Sequence, residues 1–194
     1  MRKQLLKPTT WIIAAMVMVT AIVTAQSQLN QVAKVEIPLD ENDVYCLTRN
    51  AYYEAKGDSQ MSQIAVTHVV LNRLNDPAFP KNACDVVYQK NRKENKSTVC
   101  QFSWYCDKRM MNRIIDPVGW QESLEAVKKA VKLYYAKGVD VTEGSTFYHA
   151  YYVNPRWNQL EKVTSIGSHI YYKVNEECQN NQKVCTRKNR SVNS

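Results

Sequence analysis

Six cysteines, Cys46, Cys84, Cys100, Cys106, Cys178 and Cys185, follow an N-terminal segment with the marks of an export leader, and this combination constrains the fold more than any other feature. An even number of cysteines delivered to an oxidising compartment reads as three disulfides. Many pairings are formally open; short separation favours Cys100 with Cys106 and Cys178 with Cys185, which leaves Cys46 with Cys84. No C-x-x-C pair occurs and the spacings do not resemble a zinc ribbon, so cysteine is not read here as a metal ligand. The leader itself has a basic start, Arg2, Lys3 and Lys7, and then an uncharged run from Trp11 to Ala25, with Val23-Thr24-Ala25 offering a cleavage point before Gln26. The alternative is an uncleaved anchor, for which this run is short against the roughly 20 residues of a membrane span.

These boundaries divide the chain into a signal peptide or signal anchor at 1–25, a polar linker at 26–39 ending near Pro38, a folded domain at 40–174, and a basic, cysteine-containing extension at 175–194. At 194 residues there is room for one domain with a sizeable core. The expected location is exported, periplasmic or extracellular, with membrane attachment only through an uncleaved N-terminal segment. A net charge of +8 favours anionic surroundings, and removal of the leader leaves the chain basic. Nucleic acid is the weakest such partner, because the basic residues are dispersed over a helix face and a tail and the chain is exported.

Hydrophobic spacing predicts a mainly helical domain with a small extended region. Val44, Leu47, Ala51 and Ala55 recur at three and four after the acidic cap Asp40 to Asp43, and Gly57 stops the pattern. A second helix is expected over Ser59 to Leu74, closed by Asn72-Arg73, a short one over Ala83 to Lys90, and the longest over Gly119 to Lys137 with its lysines outward. Asn91 to Ser97 reads as a charged loop, and Gln101 to Tyr105 as a hairpin or pinned loop between two cysteines. Thr146 to Val153 and Ser168 to Val174 read as two strands, separated by Asn154-Pro155 and Gly167.

Glu54 stands near the end of the first helix, at the border of its apolar stripe and directly after Tyr52-Tyr53. A carboxyl whose surroundings keep it protonated near neutrality is a sufficient general acid for cleaving a glycosidic bond. The plainer reading is a surface ion pair. Hydrolases with two carboxylates need a partner at a defined separation, for which Asp58, Asp107 and Asp116 are available, none of them specified by spacing. Gln101, Ser103 and Trp104 put amide, hydroxyl and indole groups on one loop, which suits a sugar, although Phe102 and Trp104 also suit a core. Tyr148-His149, Trp157 and His169 raise the same question, while His68 on an apolar helix face reads as structural. No H-E-x-x-H spacing supports a zinc site around Glu54.

Taken in order, Asn50-Ala51-Tyr52-Tyr53-Glu54-Ala55-Lys56-Gly57-Asp58, Ile64-Ala65-Val66, Val69-Val70-Leu71-Asn72-Arg73, Phe79-Pro80, Cys84-Asp85-Val86-Val87, Cys100-Gln101-Phe102-Ser103-Trp104, Tyr148-His149-Ala150, Pro155, Trp157 and Ile166-Gly167-Ser168-His169 resemble the SleB-type cell-wall hydrolases. The resemblance runs from about Cys46 to Tyr172. It implies an α+β, mainly α, lysozyme-like domain acting on peptidoglycan, with Glu54 as the catalytic acid and Gln101, Ser103, Trp104, Tyr148 and His149 as substrate-binding residues of a groove. Members are associated with lytic transglycosylase activity, in which one acid protonates the bond between N-acetylmuramic acid and N-acetylglucosamine and then helps the muramyl 6-hydroxyl close a 1,6-anhydro ring. No cofactor, no metal and no second carboxylate is then required, and the expected partner is the glycan strand, bound by a monomer, in wall remodelling or phage lysis. Lys56 and Asp58 depart from the arginine and glutamate common at those positions, but keep the charge. Two alternatives stand beside this: a zinc-dependent N-acetylmuramoyl-L-alanine amidase using His149, His169 and a carboxylate, and a non-catalytic peptidoglycan-binding protein.

Overall fold

The first helix begins where the sequence places a reciprocal cap. In the computed structural model, which describes residues 16, 18–19, 36–92, 98–155 and 160–174, Asp40 accepts from the Asp43 N–H at 2.7 Å while Asp43 accepts from that of Asp40 at 3.4 Å. Helix α1, Glu41–Ala55, buries Leu47, Asn50 and Ala51, and ends as Lys56 turns extended ahead of Gly57. The other oxygen of Asp43 accepts from the Ala83 N–H at 3.0 Å, so one carboxylate ties the start of α1 to the start of α3, Ala83–Val87.

Helix α2, Gln60–Asn75, is capped by Ser59, and every residue from Ser62 to Arg73 is buried. A helix without a solvated face must be enclosed. On one side Ile64 packs with Ala126 and Ala130 of α5, Pro117–Val131; on another Ala65 and Val69 meet Tyr171 of the sheet; Val70 and Leu71 join Leu47, Val86, Val87, Phe102, Trp104 and Val127 in the main core. Helix α5 starts on Asp116, which accepts from the Val118 and Gly119 N–H groups. It does not run straight to Lys137 as its spacing predicts, because Lys132–Ala136 widens into a π turn. Within this turn Tyr134 reaches α2, donating to Asn72 at 2.8 Å and accepting from Asn75 at 2.9 Å.

Two short strands that the sequence does not predict, β1, Lys90–Arg92, and β2, Thr98–Cys100, pair antiparallel, and α3 stops at Val87 short of the expected Lys90. Each strand is three residues long, β1 is charged and exposed throughout and β2 buries only Cys100, so no apolar alternation announces them. Next come a 3-10 turn, Ser103–Tyr105, in the pinned loop and the short α4, Lys108–Met111. The second sheet has the order β3-β5-β4, with β3 at Phe147–Ala150, β4 at Leu160–Ile166 and β5 at His169–Val174. Strands β3 and β5 lie in the predicted runs. The edge strand β4 is an addition: Glu161, Lys162 and Ser165 face solvent, a bulge follows Lys162, and its identity as a strand comes from pairing to β5.

Cys46–Cys84 joins α1 to α3 and Cys100–Cys106 closes the loop around Gln101 to Tyr105, as the separations suggest. The Cys178–Cys185 pairing, Trp157, the cleavage point at Ala25 and the 175–194 extension lie outside the described residues. Residues 16, 18 and 19 are helical and belong to a separate unit, Met1–Glu36; all else here concerns Ile37–Ser194. No described helix is long and apolar enough to cross a membrane.

The β4–β5 turn is docked on the α1–α2 junction by one carboxylate. Asp58 accepts from the Ser59 N–H at 2.8 Å and from the Ser168 N–H at 2.9 Å, and Gly167 passes so close, at φ 55°, that a Cβ there would collide with Ser62 Oγ and Asp58 Oδ2. Gly138, at φ 63°, has open space where a Cβ would stand. Gly167→Ala should therefore lower the unfolding free energy by on the order of 1–3 kcal/mol or more, and by more than Gly138→Ala, in parallel urea titrations.

Candidate active site

The last turn of α1 delivers Glu54 to a groove of about 780 Å³ between the Gln101–Trp104 loop and strand β3. Glu54 keeps a window onto the groove, yet its carboxyl is packed round by protein, and Oε2 accepts from the Tyr148 hydroxyl at 2.9 Å. Oε1 has no hydrogen-bond partner among the described residues. Burial pushes the Glu54 carboxyl above the usual carboxylate range, against the opposing pull of the Tyr148 hydrogen bond and the Arg73 charge. Tyr148 is itself pushed well above its ordinary value, by burial first and then by Glu54 and Tyr171, so it remains a donor. Its ring is held by Phe102, His169 and Tyr171 at centroid distances of 6.3, 5.0 and 5.6 Å.

Beneath the groove lies a buried cation that the sequence reading uses only to close a helix. Arg73, 2% exposed, donates from Nε to the Thr146 carbonyl at 2.8 Å and lies between the rings of Phe79 and Phe102, 5.1 and 5.2 Å from their centroids. With its amide oxygen turned inward, Gln101 accepts from both terminal guanidinium nitrogens at 2.9 and 3.2 Å; the opposite orientation sets amide hydrogens against guanidinium hydrogens. Burial lowers Arg73 to about 10, opposed by Tyr148 and Glu54, which still leaves it charged at neutrality. The available signal was positional: Arg73 follows Val69 and Val70 by four and three residues, on a helix face that is otherwise core.

The remaining predicted residues divide between groove surface and support. Ser103 is exposed on the groove wall. Trp104 also belongs to that wall but is buried: its indole N–H donates to Asn50 at 3.0 Å and its ring stacks on Tyr53 at 4.6 Å, which docks the disulfide-closed loop on α1. His149 lies at the rim with Nδ1 2.9 Å from the Ala150 carbonyl and Nε2 3.0 Å from the Tyr172 hydroxyl. His169 lines the groove, and burial lowers its pKa and keeps it neutral. His68 lies in the core between Ala130 O and Val141 N. Tyr152, 77% exposed at the rim, joins the groove although no motif in the sequence points to it.

The three candidate second acids are otherwise engaged. Burial pushes Asp58 up, but the Ser168 and Ser59 N–H bonds outweigh it and hold Asp58 below the usual range. Asp116 is held down by the Gly119 N–H and by Lys56, its ion-pair partner at 3.1 Å. Asp107 alone of the three lines the groove; it caps α4 through the Arg109 N–H, pairs with that side chain at 3.5 Å, and is held low by both. Among the described residues, no three histidine, cysteine, aspartate or glutamate side chains are grouped to hold a metal, and His149, His169 and Glu54 form no such set.

A carboxyl raised in the folded state contributes stability that is full at acid pH and is lost as pH rises through its folded pKa. Relative to Glu54→Gln, the wild type should thus lose stability as pH rises from the ordinary glutamate value of 4.5 into the neutral range. Melting temperatures of the two proteins across that range check this, and a gap independent of pH would contradict the burial of an ionisable Glu54.

Comparison with known proteins places these features in a family. A profile described as Cell Wall Hydrolase matches residues 57–172, a segment that begins just after Glu54. The spore cortex-lytic enzyme of Halalkalibacterium halodurans is 26% identical over 153 residues, 75% of this chain and 39% of that protein, and that of Bacillus subtilis is 40% identical over 48 residues, 25% and 16%. The chain thus spans well under half the length of these relatives. Among solved structures, the catalytic domain of the Bacillus cereus SleB protein aligns with TM-score 0.52 at 22% identity, over 73% of this chain and 97% of that one. The catalytic domain of the germination-specific lytic transglycosylase SleB from Bacillus anthracis aligns with TM-score 0.53 at 23% identity, over 72% and 100%. The fold is shared with those domains, and the chain belongs to the cell wall hydrolase family.

Proposed function

We propose that this protein is an exported peptidoglycan lytic transglycosylase that cleaves between N-acetylmuramic acid and N-acetylglucosamine, with Glu54 as acid and then base. The observation that carries the reading is the state of Glu54: one carboxyl in the floor of a groove, raised by burial, with one oxygen held by Tyr148 and the other without a partner among the described residues. Its proton passes to the oxygen leaving with N-acetylglucosamine as the bond to the muramyl C1 breaks. The resulting carboxylate is oriented by Tyr148 and faces the positive charge of Arg73. It then takes the proton of the muramyl 6-hydroxyl as that oxygen bonds to C1, which regenerates the acid and consumes no water. Gln101, Ser103, Trp104, Tyr148 and His149 line or support the groove for the glycan strand. The relatives named as spore cortex-lytic enzymes, and the structural neighbour named as a lytic transglycosylase, agree with this chemistry.

In this reading residues 1–25 export or anchor the chain, 26–39 link, 40–174 act as a monomeric catalytic domain, and 175–194 form an appendage. A second reading has one observation in its favour, the presence of Asp107 on the same groove. Freed from Arg109, it would serve a hydrolysing muramidase as base.

Mass spectrometry of digested peptidoglycan separates the two. Anhydro-muramyl ends are expected, with Asp107→Asn close to wild type; reducing muramyl ends together with inactive Asp107→Asn would install the muramidase. Glu54→Gln should lose about 10²–10⁴-fold in rate, and equal release by that variant and wild type would remove Glu54 from catalysis. As an acid, Glu54 sets the alkaline limb of the pH–rate profile. The Tyr148 bond favours its charged form, so Tyr148→Phe should move that limb to higher pH in steady-state assays.

A further inference from the structure

Beside the catalytic groove lies a second hollow of about 600 Å³, and Tyr53 and Met110 line both, so the two meet along one ridge. Tyr53 directly precedes Glu54 on α1, and both line the catalytic groove, so the shared ridge lies on the part of the groove that holds the acid. Its walls are basic and partly apolar: Lys56, Arg113 and Ile114 contribute, and among the described residues no acidic one lines it. The Arg113 guanidinium approaches Met110 Sδ at 3.9 Å and has no carboxylate within ion-pair distance among the described residues. Lys56 gives two of its three protons to Tyr52 OH and Asp116, at 3.0 and 3.1 Å, which leaves one donor. Ile114, the residue after Arg113 in the chain, is 96% exposed and lines the same hollow.

Resting on the peptidoglycan reading above, we propose that this hollow receives the peptide stem of the muramyl residue at the cleavage point, with a stem carboxylate at Arg113 and Lys56. The chemistry matches on both counts. A muramyl ring held with its anomeric carbon at Glu54 must send its lactyl-linked stem out sideways, and that stem alternates carboxylates with alanyl methyl groups. Arg113 and Lys56 answer the first and Ile114 the second. Charged hydrogen bonds to a guanidinium are the strong class of such contacts, although exposure moderates them here.

Steady-state kinetics on two soluble substrates test this: glycan strands with natural stems, and the same strands with the stem carboxylates converted to neutral amides. Arg113→Glu should raise KM about fivefold on natural strands and leave it unchanged on amidated ones, while Arg113→Lys keeps most of the wild-type behaviour. Wild type should itself show a higher KM on amidated strands. Equal effects of Arg113→Glu on both substrates, or none on natural strands, would overturn the stem assignment while leaving the catalytic reading intact. Failure of wild type to cleave either substrate would overturn both.

Discussion

The bond from the Tyr148 hydroxyl to Glu54 Oε2 joins residues 94 positions apart, and much of the fold exists to let it form. Glu54 is carried by a helix that starts at Asp40, and Tyr148 by a strand that pairs with β5, the last described segment of the chain. Between them runs α2, buried on all sides, whose Ala65 and Val69 support Tyr171 beneath Tyr148 and whose last turn sends Arg73 under the groove. A carboxyl so enclosed would be disfavoured in its charged form by burial alone. The tyrosine hydroxyl and the buried guanidinium offset part of that cost, since both pull the Glu54 pKa back down. The transglycosylase reaction proposed above draws on both forms of this one residue.

The other acids in reach serve the frame. Asp43 joins two helix starts, Asp58 holds the sheet to the α1–α2 junction, Asp107 and Asp116 cap helices, and the latter three are held low by the N–H groups they accept from. Carboxylates engaged in this way remain ionised and poorly placed to hold a proton. The difference between them and Glu54 is one of environment, not of residue type: burial raises Glu54, while the N–H groups they accept from hold Asp58, Asp107 and Asp116 down. The Cys100–Cys106 loop follows the same logic: Trp104 anchors it to α1 through Asn50, and Gln101 is then set over Arg73.

Much of the frame was legible because it is local. The cap at Asp40, the start of α2 near Ser59, the apolar spacing of both helices and the Cys100–Cys106 closure involve residues a few positions apart, where side-chain chemistry and helical geometry suffice. Legibility failed where an element owes its form to a distant partner. Strand β4 carries few apolar side chains and is a strand because β5 offers it a ladder. The β1–β2 pair is three residues to a strand and largely exposed, and α5 widens at Lys132–Ala136 where Tyr134 reaches across to Asn72.

At the site the division is sharper. The sequence by itself determined that a lone glutamate ends a tyrosine-bearing helix, that a cysteine-closed loop carries amide, hydroxyl and indole groups, and that these motifs stand in the order of a cell-wall hydrolase family. Only the tertiary structure decided which acid is raised, that Arg73 lies buried beside it, that Trp104 supports the groove wall from within, and that Tyr148 supplies the hydrogen bond. The physical reason is that a pKa reports desolvation and charge summed over everything within a few ångströms. In this protein those neighbours come from α1, α2, the pinned loop and the sheet, segments that linear spacing cannot bring together.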